Sequence, residues 1–499
     1  MPLVPNITSY IPFDGKIFFI ASCNSIEIMI VERVKELSSF GEIFAGDKIE
    51  GKIVNKIRKF FNKCDETKVI PIPVLNYSES HEIFGKNKIE NSEYLPYSPS
   101  ADIEGKLTYS LDECKDSILG VKIENLFDIP RYYIKAEERD CEAIVFFTDK
   151  RRKFVIKSDP LLNIFPTSPP KIPGIIIPES EKNKIEDKLS IKASVTIKES
   201  TGYIIECIKN SKNDKKVYIT THHDHWFKGE HDNLLSVSLL PELKSEKYEL
   251  HLISFTAEEA GALGYQSFSW SYGSRKYFEL QKKGLNKDII LNINLDNIDP
   301  CNLKIKAVSS ISSVFEKYFN NSIVYEPEIY SDGYTFIKNG IPSVTLEGYY
   351  KEYHSIDDEI IPSEEVCISS IILSINKILN DENIEQIRYD MLKSELMQFM
   401  SITQAPMRTY LLNILDNLNN KEIYENLLKL YGGILPRDGL AIVKLFHKLV
   451  GIKYEKPVYI EGKPALKISS NDKLYLHSIA KEFEDEYMNR LYEISKKFL

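Results

Sequence analysis

Between residues 200 and 375 the chain alternates between apolar strand-like runs and helical segments, and this pattern constrains its fold more than any other feature. The runs are YIIECI, KVYITT, LHLISFT, IILNINL and SVTLEG. Short continuous apolar runs mark strands buried on both faces, and their alternation with helices specifies a mostly parallel sheet covered on both sides. The predicted fold class is α/β. Upstream, residues 25–64 read as helical, with Ile53, Ile57, Phe60 and Phe61 at helical spacing, and TKVIPIPVLNY reads as a strand. Between 86 and 199 the texture changes. EAIVFF, KFVIK, GIIIP and ASVTI alternate with turns such as PTSPPKIPG, which predicts a β-rich insert. Residues 376–499 read as mainly helical, with a hairpin in KPVYIEGKPALKI and a last helix whose apolar stripe runs from Leu476 to Phe498. That stripe must bury against the chain's own body or a second subunit, so a homodimer through these helices is one expectation. The predicted division is a split domain (1–85 and 200–375), an insert (86–199) and a helical C-terminal extension (376–499).

Composition narrows the function classes. The chain has 499 residues and a formal net charge of −9, against the basic stripe expected of a nucleic-acid binder. The basic run Lys150-Arg151-Arg152-Lys153 is expected to cap a hairpin of the insert. No run of about 18 apolar residues exists, so no membrane-spanning helix is expected. The first residues lack the cationic region of a secretory signal. The seven cysteines are odd in number, scattered and without a C-x-x-C pair, which predicts free thiols in a reducing cytoplasm. Abundant Lys, Glu, Ile and Tyr fit a thermophile or AT-rich coding.

In open α/β sheets chemistry collects at the carboxyl ends of strands. Four such ends carry polar clusters here. After KVYITT come His222 and Asp224, two apart and therefore on one side, with Asp232 eight residues further on. A metal-binding histidine gives its other ring N–H to a carboxylate, and His222-x-Asp224 fits that pairing. Asp232 could bridge two cations, while His223, His225 and His231 compete for a ligand role. After LHLISFT come Glu258 and Glu259, whose diverging side chains allow one to ligate and the other to act as general base. Asp296 ends IILNINL, and Asp299 competes with it from an Asp-Pro turn signal. Beyond SVTLEG lies His354, with Asp357 or Asp358 placed to orient its imidazole. Singly, each cluster is as readily a loop, cap or helix-start feature. Jointly they supply two histidines and three carboxylates, a mixed nitrogen and oxygen set suited to zinc, with a further acid left as base.

At this point the sequence resembles the co-catalytic zinc aminopeptidases, the group holding bacterial leucyl aminopeptidase, glutamate carboxypeptidase II and transferrin receptor. The matching motifs are His222-His223-Asp224, Gly229-x-x-Asp232-Asn233, Glu258-Glu259-Ala260-Gly261-x-x-Gly264, Asn294-Leu295-Asp296, Ser331-Asp332…Phe336…Gly340-Ile341-Pro342 and Tyr353-His354…Asp358. Leu234, Leu235 and Ser236 stand where the family usually has small residues and a glycine, so the following helix must pack differently. The insert resembles a protease-associated domain through ERDCEAIVFF and KIPGIIIPESEKNKIED, and would restrict access to short peptides as a lid does.

The resemblance implies two Zn²⁺ ions, with Co²⁺ or Mn²⁺ as possible substitutes, that share Asp232. One would be held with His222 and Asp296 and the other with Glu259 and His354. Glu258 would be the general base. The expected activity is hydrolysis of N-terminal residues from peptides with a free amine. A one-zinc glutaminyl-cyclase-like acyltransferase and a non-catalytic receptor or scaffold are the competing readings. Arg275 is the one arginine in 200–375, which tilts the reading toward an aminopeptidase and away from a carboxypeptidase that grips a substrate carboxylate.

Overall fold

A computed structural model describes residues 23–156, 170–263, 271–281, 288–308, 310–319, 323–325, 328, 330–349, 351–402, 412–417, 421–431, 458–460 and 463–465. The core of the fold is four parallel strands: β8 (Lys216–His222), β9 (Glu249–Phe255), β10 (Ile289–Leu295) and β13 (Ser343–Glu347). These are the apolar runs predicted as buried strands, and nearly every residue in them is buried. Antiparallel strands flank them: β7 (Lys188–Lys209) beside β9, and β11 (Lys304–Ala307) beside β13, followed by the short β12 (Ile323–Val324).

Helices cover both faces. On one face α1 (Cys23–Ser38) places Ile30, Val34 and Leu37 one turn apart, and α8 (Pro362–Ile378) answers with Ile368, Ile371, Ile372 and Ile375. The same core takes in α2 (Glu50–Phe60), α4 (Leu235–Leu239), α6 (Val314–Phe319) and α9 (Tyr389–Ile402). On the other face α5 (Tyr272–Leu280) and α7 (Asp332–Lys338) bring Tyr272, Tyr277 and Phe336 against Ile253 and Phe255. Each such side chain contributes about 1.5–3 kcal/mol on burial. The start of α8 is set by Pro362 in its first turn and by Glu364, whose carboxylate accepts the Ile361 N–H at 3.0 Å. The leucines after Asn233 do pack inward: Leu234 and Leu235 are fully buried in the helical core.

The insert is β-rich, as expected, but it also carries a helix. Its strands β3 (Ala101–Thr108), β4 (Ile118–Lys122), β5 (Ala143–Thr148) and β6 (Gly174–Pro178) are parallel. A helix, α3 (Ile129–Glu138), crosses between β4 and β5, so the unit is itself α/β, with the short β2 (Glu93–Tyr94) at its edge. It is not strung on linkers. β1 (Glu66–Phe84) and β7 pair antiparallel in unbroken register from Glu66 opposite Ile208 to Phe84 opposite Ser190. This one ladder starts beside β9 in the main sheet and ends in the insert, where β7 also pairs with β3.

The expectation of free thiols is overturned. Six of the seven cysteines pair as Cys64–Cys207, Cys114–Cys141 and Cys301–Cys367. Sequence spacing failed here because the partners lie 143, 27 and 66 residues apart and meet only in the fold. In the C-terminal extension a helix over Lys421–Tyr431 docks on the core through Tyr424, whose hydroxyl meets Ser310 Oγ at 2.8 Å. The hairpin is present as Val458–Ile460 against Lys463–Ala465. The Leu476–Phe498 stripe and residues 1–22 lie outside the described residues. No helix among the described residues is long and apolar enough to cross a membrane.

Candidate active site

β8 ends on His222, Glu258 and Glu259 follow β9, Asp296 follows β10, and His354 lies on the loop beyond β13. The parallel sheet therefore delivers all the expected donors to one edge. They form two clusters that share one residue: His222, Asp232 and Asp296, and Asp232, Glu259 and His354. His222 Nε2 lies 3.3 Å from Asp232 Oδ1 and 3.4 Å from Asp296 Oδ1. His354 Nε2 lies 2.7 Å from Glu259 Oε1 and 3.4 Å from Asp232 Oδ2. Asp232 thus turns one oxygen to each cluster, the geometry of a bridging carboxylate.

Local backbone explains how these side chains reach their places. Gly229 has φ +52, and a Cβ there would stand 2.5 Å from His225 Cβ and 2.6 Å from the Asp232 carbonyl oxygen. Only glycine fits the turn that presents Asp232. Ala257, Asn297 and His354 also hold positive φ, at 55, 47 and 54°, each at or beside a donor. Such conformations gather where a site is held by its surroundings. The Asp232–Asn233 peptide is cis.

The field is that of a cation site. Burial opposes charge on His222, yet Asp232 and Asp296 hold its imidazole well above the ordinary range. Burial likewise opposes charge on His354, and Glu259 and Asp232 raise it to about 9. Burial pushes the Asp296 carboxyl up. For Asp232 burial is outweighed by the close imidazoles of His222 and His354, which hold it well below the usual carboxylate range. Asp232 Oδ1 and His354 Nε2 are buried and make no hydrogen bond within the protein. Buried imidazole and carboxylate atoms crowded together without a directed hydrogen bond between them fit a divalent cation of the zinc type.

The groups behind the donors differ from expectation in three places. First, the His222 ring is oriented not by the Asp224 carboxylate but by its main-chain oxygen, 2.9 Å from Nδ1, with the carboxylate 3.8 Å away. The Asp224 carboxylate accepts the N–H groups of Glu258 and Glu259 at 3.2 and 3.0 Å and so fixes the acid pair. Second, neither Asp357 nor Asp358 orients His354. Asp358 accepts the main-chain N–H groups of His231 and Asp232 at 3.0 and 3.2 Å and the His231 ring at 2.8 Å, so it clamps the loop of the bridging residue. Asp357 pairs with Lys150. The His354 Nδ1 instead meets the carbonyl oxygen of Lys153, in the insert, at 3.2 Å. Third, the basic run 150–153 does not cap a hairpin. It lies along residues 351–356, with Arg152 bridged to Ser355.

The competing histidines are occupied elsewhere. His223 meets Ser254 Oγ at 2.9 Å, His225 meets the carbonyls of His223 and Gly41, and His231 lies between Asp358 and Glu364. Asp299 is a turn residue that accepts the N–H groups of Cys301 and Asn302. Glu258 is 3% exposed and its Oε1 accepts from Ser271 Oγ at 3.1 Å. Asp332, in a quoted motif but without an assigned role, is fully buried, neither carboxylate oxygen is hydrogen-bonded, and burial raises it to about 8.

A family model, Peptidase family M28, matches residues 204–365. The match spans all four donor-bearing strand ends. Solved structures with the same fold include the zinc aminopeptidase BSAP of Bacillus subtilis, 19% identical, covering 73% of this chain and 98% of that one at a TM-score of 0.55. An aminopeptidase from Aneurinibacillus sp. is 18% identical and covers 72% and 95% at 0.51. A peptidase M28 precursor from Shewanella amazonensis is 14% identical and covers 72% and 97% at 0.54. No curated protein matches the chain. In the matched segment the mixed sheet and its flanking helices are those predicted from the strand runs.

Proposed function

We propose that the protein is a zinc-dependent aminopeptidase that removes N-terminal residues from peptides. The observation that carries this reading is the pair of donor clusters sharing Asp232, with Glu258 beside them in an M28 segment. His222, Asp232 and Asp296 would hold one Zn²⁺, and Asp232, Glu259 and His354 the other. Two such ions supply Lewis acidity for a peptide carbonyl and lower the pKa of an attacking water. The chain's own groups then do the proton work. Glu258 takes the proton of that water and delivers it to the leaving amine, its carboxylate steadied by Ser271 and its backbone by Asp224. Burial of the acid pair keeps bulk water from competing for that proton. The names of the fold relatives, zinc aminopeptidase and aminopeptidase, support the choice of a free N-terminus as substrate. Three disulfides favour an oxidising compartment, or a hyperthermophile's disulfide-rich cytosol, over the reducing cytoplasm that cysteine spacing suggested.

Metal analysis and a substrate panel on one sample test the proposal. Two zinc ions per chain are expected, with hydrolysis of free-amine peptides and none of N-blocked ones. Glu258→Gln should keep both ions and lose about 10²–10⁴-fold in kcat. Full activity in that variant, or cleavage of blocked peptides alone, would overturn the reading.

A further inference from the structure

The two donor clusters are supported differently. The His222 imidazole is oriented by the main-chain oxygen of Asp224, two residues away on the same strand end. The His354 imidazole is oriented by the main-chain oxygen of Lys153, from the insert and 201 residues away. A carbonyl at Nδ1 fixes the tautomer that leaves Nε2 free to ligate. The loop carrying that carbonyl follows β5 and is bound to the His354 loop at several points. The Lys153 N–H donates to the His354 carbonyl at 2.9 Å, and the Ile356 N–H donates to the Arg151 carbonyl at 3.1 Å. Arg152, 9% exposed, donates to the carbonyls of Tyr353 at 2.5 Å and Lys351 at 3.1 Å. The same guanidinium is held bidentate by Asp149 at 2.8 and 3.0 Å. Phe154, fully buried, places its ring 5.9 Å from that of His354. His354 itself sits at φ 54, a conformation uncommon for a residue with a Cβ and one its neighbours must hold.

We infer that the insert is a structural part of the second cation subsite, and that Arg152 is the positioning residue that fastens it there. The inference rests on the two-ion reading above. The first subsite is complete within the catalytic sheet, whereas the second gains the correct histidine tautomer and loop only when residues 149–156 are docked. The insert therefore governs occupancy of one divalent cation and leaves the other alone.

Cobalt titration of metal-free full-length enzyme, followed by visible absorption and by competition with a chelator, tests this. The wild type should take up two ions. Arg152→Met should bind the first with unchanged affinity and the second about 10–100-fold more weakly, the usual loss when a group behind a ligand is removed. Arg152→Lys keeps the charge but not the two-carbonyl fork, and should fall between the two. Should the methionine variant not fold, the lysine variant carries the same comparison. Circular dichroism and elution volume of the metal-free proteins should agree, which separates positioning from a general loss of structure. Equal weakening of both ions, or unchanged affinity for both, overturns the inference. A wild type that holds a single ion overturns the two-ion reading and the inference with it, and is visible before any variant is made.

Discussion

At the scale of single residues, Asp224 does more than the H-x-D spacing discloses. It is 1% exposed, burial raises its carboxyl to about 6, and its two oxygens take the N–H groups of Glu258 and Glu259. An asparagine would offer one oxygen and turn an amide N–H₂ toward the other donor. Asp224→Asn should therefore cost about 1–3 kcal/mol in urea unfolding and lower kcat through the displaced acid pair. An unchanged unfolding midpoint would sink this assignment. The donors themselves were legible because four polar strand ends of one sheet jointly supply imidazoles and carboxylates, although each end alone reads as readily as a loop, cap or helix start. Their supports were not, because the Lys153 carbonyl that faces His354 carries no side-chain signature and belongs to another part of the chain.

At the scale of elements, the ladder of β1 and β7 carries a titrating contact. His81 Nδ1 lies 2.8 Å from Glu79 Oε2 and its Nε2 lies 3.2 Å from the Ser92 carbonyl. Burial opposes the imidazolium, but Glu79 outweighs it and the pKa rises above 6.5. A folded-state value above the unfolded one means stability that is fully present below pH 6.5 and lost as pH rises through the folded value. His81→Gln should thus be less stable than wild type at pH 6 by under about 1 kcal/mol, given partial solvent screening, with the difference closing at alkaline pH. A difference independent of pH would refute it. The strands of the parallel sheet were readable from their apolar runs. The helix α3 was not legible, although Ile129, Tyr133 and Ala136, all buried, recur at helical spacing, because it is short and lies between two strongly apolar strands.

At the scale of the whole molecule, three disulfides fasten a fold that did not advertise them. Cys64–Cys207 spans 143 residues, including the entire insert. On the chain-entropy view a loop of that size contributes about 5 kcal/mol by restricting the unfolded chain. Replacing both cysteines with serine, or adding reductant, should lower the thermal midpoint by several degrees, and an unchanged midpoint in scanning calorimetry would show the bond contributes nothing. The overall architecture was legible because periodicity and strand-end chemistry agree from 204 to 365. Cysteine pairing was not, because it depends on which strands become neighbours.

The unbroken register of β1 and β7 has a mechanical meaning. Nineteen residues of paired strand extend for about 60–65 Å, and over that length every bend must strain a row of hydrogen bonds. The insert is thus carried on a cantilever, anchored a second time where Arg152 grips the His354 loop. A body held at two places behaves as a fixed overhang and not as a swinging door. Any selection by length that the insert imposes on substrates would then be geometric, the same for every turnover, and insensitive to solvent viscosity.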